Sequence, residues 1–244
     1  MSEASHKKVI VIGDGHVGKT CFVAKVTENK FIPNYLPTMG VEFGVKSIRR
    51  GNHDVKLKVQ TKCFLRAPDT VTITSRPSPH RQCGDIGRAL EKYILRQERF
   101  NSLMPQFCRG AAVAIVMCDV TQPATLQSTK MWKQLVDKNV LQPNGQSIPA
   151  VLLINKFDLP KQRQLISVEA IQEVARECSF VRQYQISVKD STNILEALEF
   201  VAELAERYED EERTYLDTAA LSLPTMYSEH RKRQMNCCTG GGNT

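Results

Sequence analysis

Tryptophan occurs once in this 244-residue chain, and aromatic side chains make up only 7% of it. With so few stacking platforms, and no dense basic stripe through the body, a formal charge of +7 does not describe a nucleic-acid surface. The excess is local: residues 61–96 carry seven basic side chains against three acids. No apolar run approaches the ~20 residues that a membrane-spanning helix needs. The polar start MSEASHKK leads into an apolar run too short for the core of a secretory signal, so the body is expected in the cytosol. The eight cysteines show no paired spacing. Cys63, His80 and Cys83 match no common zinc spacing and lack a fourth ligand. Cys21, Cys108, Cys118 and Cys178 fall in apolar periodic segments, where a reduced thiol packs as a small hydrophobe. No internal repeat is present, and the length favours one well-buried domain with extras.

What is there is an alternation. Apolar, β-branched runs at Lys8 to Ile12, Val41 to Ile48, Val55 to Val59, Ala111 to Cys118, Ala150 to Ile154 and Tyr184 to Ile186 read as strands. Segments of helical period begin near Lys19, Arg99, Ala124, Ser167 and Thr192. This order predicts an α/β fold, a mostly parallel six-stranded sheet with helices on both faces. Arg50-Gly51-Asn52-His53 suits a hairpin, which makes one edge strand antiparallel. Ser167 is placed to cap the fourth helix, and Ser191-Thr192-Asn193 the fifth. After about Asp210 the pattern decays into a tail with Pro224 and Arg231-Lys232-Arg233, too polar to order itself. The domain is therefore expected at 1–209 and a flexible tail at 210–244.

The chemistry is concentrated in three loops. Gly13-Asp14-Gly15-His16-Val17-Gly18-Lys19-Thr20 follows the first strand and opens the first helix, which is the full P-loop pattern in its required setting. Glycines let successive N–H groups turn inward toward phosphate, and the helix adds its positive end. Lys19 is placed to neutralise β- and γ-phosphates, and the Thr20 hydroxyl to enter a Mg²⁺ shell, with Cys21 next along the helix.

A P-loop alone says nucleoside triphosphate. Asn155-Lys156-Phe157-Asp158 ends the apolar fifth strand, and a carboxylate there accepts both guanine N1–H and the N2 amino group. Adenine offers no such donors and leaves the carboxylate unpaired. Lys156 can lie over the base, and Asn155 can tie this loop to the phosphate loop. Ser187-Val188-Lys189 supplies a third loop between strand and helix, with the Val188 N–H expected to meet guanine O6.

In this order the segments resemble the Ras superfamily, and Tyr35-Leu36-Pro37-Thr38-Met39-Gly40-Val41-Glu42-Phe43 resembles the first switch of Rab small GTPases. The resemblance covers most of residues 7–60 and 97–209. It implies the small GTPase fold, GTP or GDP with Mg²⁺, Thr38 on the metal and the γ-phosphate, and Phe31 edgewise on the base, with Tyr35 nearby. It also implies an exchange factor, a GTPase-activating protein and effectors as partners. Trp132-Lys133 and Leu141-Gln142-Pro143-Asn144-Gly145-Gln146-Ser147-Ile148-Pro149 are similar to the Rab subgroup serving lysosome-related organelles such as melanosomes. That points to the cytoplasmic face of such membranes, or of endosomal or mitochondria-associated vesicles, with a cytosolic pool.

The resemblance breaks where the second switch belongs. Val59-Gln60 gives way to Thr61 through Arg96, and the family pattern resumes at Gln97-Glu98-Arg99-Phe100. The connection is roughly thirty residues longer than the family's and far beyond an ordinary loop. By the resemblance Gln97 is the residue that orients the attacking water. Gly84-Asp85-Ile86-Gly87 reads as a displaced remnant, with Asp85 on the metal side, but Arg88 stands where a γ-phosphate glycine is needed. Either a retained segment of the transcript interrupts the switch, as the clean flanks favour, or a genuine regulatory loop does.

Near the end, Cys237-Cys238 after a basic cluster resembles the doubly prenylated Rab terminus, although six residues follow the pair. The leading functional reading is a trafficking GTPase that cycles between GDP and GTP. The alternatives are a GDP-bound or non-hydrolysing adaptor, and an adenine-type P-loop enzyme.

Overall fold

The computed structural model describes residues 6–33, 41–62, 104–142 and 145–222, with backbone only for Lys62 and for 209–222. Among the described residues six strands are present: β1 His6–Gly13, β2 Val41–Arg50, β3 His53–Lys62, β4 Ala111–Asp119, β5 Ala150–Asn155 and β6 Arg182–Gln185. Among the described residues the longer helices that join them are α1 Lys19–Glu28, α2 Pro123–Asn139, α3 Val168–Glu177 and α4 Ile194–Ser222, and residues 104–108 ahead of β4 are also helical.

The strands lie side by side in the order β2-β3-β1-β4-β5-β6. Only the β2–β3 pair is antiparallel, closed by the tight turn at Gly51 and Asn52, where Gly51 takes φ +55°. All other pairs are parallel. The sheet is thus the expected six-stranded, mostly parallel one, and β4 and β5 are buried at every position, as strands covered on both faces must be.

Alternation along each strand sorts the core into two layers. Val9 and Val11 of β1, with Ile115 and Met117 of β4, pack beneath α1 (Phe22, Val23) and α4 (Leu198, Val201). Ile10 and Ile12, with Val116 and Cys118, pack beneath α2 (Leu126, Trp132, Val136) and α3 (Ile171, Val174). Cys108 and Cys118 are fully buried and Cys21 and Cys178 partly so, all as free thiols. Burial pushes the Cys108 thiol up to about 11. Burial, followed by the neighbouring Asp119 and Asp14 charges, pushes Cys118 up to about 12.

Three boundaries differ from expectation. β3 runs on to Lys62, because Val41 of β2 pairs with Lys62 and the Thr61 hydroxyl donates to the Val11 carbonyl of β1 at 3.0 Å. Thr61 and Lys62 therefore belong to the sheet. α4 continues as helix to Ser222 rather than fading near Asp210, since the Glu-, Arg-, Leu- and Ala-rich stretch that follows is built of good helix formers. The tail beyond Ser222 lies outside the described residues. α4 also begins at Ile194, with Asn193 donating its amide to the Gln185 carbonyl at 2.8 Å and the Thr192 carbonyl accepting from the Ser187 N–H. Ser167 caps α3 as expected, its hydroxyl accepting from the Ala170 N–H.

Candidate functional site

β1 stands at the point where the chain leaves toward β3 on one side and β4 on the other, and ligands of open α/β sheets bind at the carboxyl ends of strands near such a point. The loops after β1, β4, β5 and β6 all open there. Register brings them together: Gly13 lies beside Met117, and Asp119 beside Asn155.

The phosphate loop turns with Gly13 at φ +142° and Gly18 at φ +98°. Each glycine is enforced by a neighbour. A Cβ on Gly13 would stand 2.3 Å from the Met117 carbonyl oxygen, and one on Gly18 2.4 Å from the Asn155 amide nitrogen. His16 holds the left-handed region too, at φ 63°, exposed at the tip. Val17 is fully buried, while Asp14, Gly15, Thr20 and Cys21 are half-buried. The Lys19 ammonium donates to the carbonyls of Gly13 (2.9 Å) and Asp14 (2.5 Å), folded over the loop where a phosphate would compete for it. Burial raises the Cys21 thiol above its usual range, and its Sγ donates to the Ile32 carbonyl.

Asn155 is the joint of the site. Its amide donates to the Val17 carbonyl at 2.9 Å, and its Oδ1 accepts the Val188 N–H at 3.1 Å. One buried side chain thus links the phosphate loop to the third loop, satisfying both of its polar ends. The Val188 N–H, expected at the guanine carbonyl, here donates to Asn155 Oδ1.

Asp158 is aimed by the third loop. The Ser187 hydroxyl donates to Asp158 Oδ1 at 2.9 Å, and the Lys189 ammonium lies 4.0 Å from Oδ2. Ser187 Oγ in turn accepts the Asp190 N–H, which fixes its proton toward Asp158. Lys156, at φ 72°, extends its ammonium to Asp119 Oδ2 at 2.5 Å. Asp119 is buried, and its other oxygen accepts from the Thr121 N–H and hydroxyl. Phe31, after α1, is exposed. Tyr35, Thr38, Asp85, Gln97, Cys237 and Cys238 lie outside the described residues.

Two participants were not read from the sequence. Asp119 looks like the polar end of an apolar strand, and its partner is 37 positions away. Trp132 donates its indole N–H to Asp14 Oδ1 across 118 positions, at 2.8 Å. Of the two, Asp119 alone carries a sequence signal, since it ends β4 at the ligand-bearing edge of the sheet.

A glycine-bound loop between strand and helix, at the switch point of a mostly parallel sheet, defines the P-loop fold. The sequence pattern of the Ras family matches residues 8–61 and 96–207, and the chain belongs to that family. It is similar to human Rab-7L1, 29% identical over 233 residues that span 95% of this chain and 96% of the relative. Human Rab-32 is likewise 29% identical, over 95% of this chain and 88% of its own. Mouse Rab-32 is 31% identical over 80% and 74%.

Proposed function

We propose that this protein is a Rab-like molecular switch that binds guanine nucleotide with Mg²⁺ and hydrolyses GTP to GDP in the service of membrane trafficking. The observation that carries this is the Asn155 joint, which unites a phosphate-holding loop with the two loops that aim a carboxylate. The Asp158 carboxylate pairs with the N1–H and amino group of guanine, a match that adenine lacks. Lys19 leaves its loop carbonyls for the β- and γ-phosphates, and the N–H groups of residues 14–18 line the phosphate tail. Mg²⁺ takes only one or two protein oxygens beside phosphates and water, so the half-buried Thr20 hydroxyl in the first turn of α1 fits its needs. Thr38 and Asp85 are its further proposed ligands, and Gln97 orients the attacking water.

Attachment is proposed through prenyl groups on Cys237 and Cys238. Among the described residues no helix is long and apolar enough to cross a membrane. The similarity to Rab-32 and Rab-7L1 supports a place on lysosome-related organelles or neighbouring vesicles, with an exchange factor, an activating protein and effectors. Residues 61–96 are the proposed departure from the family's second switch.

Chromatography of the nucleotide released from the purified protein, with single-turnover hydrolysis of added GTP, tests the reading. Bound guanine nucleotide and turnover to GDP are expected. Adenine nucleotide in its place would overturn the assignment, and guanine nucleotide without turnover would make the chain a nucleotide-bound adaptor.

A further inference from the structure

The phosphate loop is held from outside as well as from within. The Asp14 carbonyl accepts from the Lys19 ammonium, and the Asp14 carboxylate accepts from the indole N–H of Trp132. Trp132 is 1% exposed, in the middle of α2, packed with Ile10 and Ile12 of the strand that feeds the loop. An indole has a single donor and no acceptor, so its direction is fixed by where the ring sits. The ring is large and locked by the core, whereas Asp14 lies in a loop that turns on glycines and left-handed residues and is itself only half-buried. Constraint therefore passes from α2 into the loop.

We propose that Trp132 is a positioning residue for phosphate binding: by holding the Asp14 carboxylate it presets the phosphate loop, and it links α2 to the state of that loop. When phosphate draws the Lys19 ammonium off the Asp14 carbonyl, one of the two restraints on Asp14 is released, and the tryptophan restraint keeps the loop from following. A loop without that restraint must be ordered by the ligand itself, which weakens binding and speeds release.

The inference rests on the nucleotide reading above, and its test separates the two. Trp132→Phe keeps a buried aromatic ring and removes the N–H together with the five-membered ring, so its effect is read through the cycle with Asp14→Ala rather than alone. Dissociation of GDP from the full chain is expected to quicken about tenfold, the scale of one lost hydrogen bond to a charged group. Asp14→Ala should do the same, Asp14→Asn, which keeps an acceptor, should lose less than Asp14→Ala, and the Phe–Ala double variant should be no worse than either single one. Hydrogen exchange at residues 14–18 is followed in the nucleotide-free protein, where Trp132→Phe should raise it. If the wild type binds no guanine nucleotide, the guanine reading fails while the exchange measurement still decides the role of Trp132. Unchanged exchange, or additive effects of the Phe and Ala substitutions, overturns the proposal.

Discussion

Asn155 and Val17 meet across the mouth of the sheet, the side-chain amide of one donating to the backbone carbonyl of the other at 2.9 Å. Val17 belongs to the loop after β1 and Asn155 ends β5, so the contact sets how far apart the loops that follow these two strands are held. Replacing Asn155 with Ala strands both the Val17 carbonyl and the Val188 N–H. A stability loss of about 2–3 kcal/mol is expected in chemical denaturation, with weakened nucleotide binding beyond what the lower stability explains. An Asn155→Ala protein with wild-type affinity would show that the loops are placed by something else.

The two loop glycines fail in different ways. Gly13→Ala drives a Cβ into the backbone of β4, which cannot swing aside, and adds left-handed strain. Together these cost about 3 kcal/mol or more, and the variant should express poorly or melt early. Gly18→Ala strikes the Asn155 amide, a side chain that can move. It should fold better than Gly13→Ala and yet lose nucleotide. Thermal melts and GDP titrations on the pair distinguish the two outcomes.

Lys156 and Asp119 form a pair in which the acid is buried and the lysine about one-third exposed. Lys156→Met keeps the apolar stem for the base but leaves the Asp119 carboxylate with only its Thr121 donors. After allowance for solvent screening on the lysine side, about 2 kcal/mol of stability should go. Equal stability in urea for variant and wild type would remove the pair from the account.

Base choice should follow Asp158. With Asp158→Asn, the carboxylate proposed to accept two guanine donors becomes an amide that offers an N–H, so guanine should weaken and xanthine, with an oxygen at the same position, should gain. Competition between GDP and xanthosine diphosphate measures this. No change of preference would argue against a guanine site.

The Cys118 and Cys108 thiols, pushed up to about 12 and about 11 by burial, hold almost no thiolate in the native protein at pH 8. Alkylation should reach neither until the domain opens, as peptide mass spectrometry can show. Because the unfolded thiols lose their protons near 9 while the folded ones keep theirs, stability should fall as pH rises from about 9 toward 12. Rapid labelling of Cys118 under native conditions would contradict its burial.

The sequence made the site legible where geometry forces residue type at fixed spacing. A turn with left-handed angles and a carbonyl at its back admits little but glycine, so Gly13 and Gly18 announce themselves. Asn155 and Asp158 were readable because they follow an unbroken apolar strand, and a strand buried on both faces must end in loop. Trp132 and Asp119 were not, because each gains its role from a partner 118 or 37 positions away that no local pattern encodes. The end of α4 is hidden in the sequence because the acidic residues after Asp210 resemble a solvated tail, although the same residues are good helix formers. Polar Gln60 and Thr61 hide the true end of β3 from a reading of the sequence. Their side chains instead bond to the Phe107 and Val11 carbonyls inside the sheet layer.

The central claim is that separate loops converge on one guanine nucleotide, and calorimetric titration of the nucleotide-stripped full-length protein tests it most directly. One GDP per chain, bound with Mg²⁺ present, and no measurable ADP binding is the predicted result. Heat from neither nucleotide, or equal affinity for both, would contradict it.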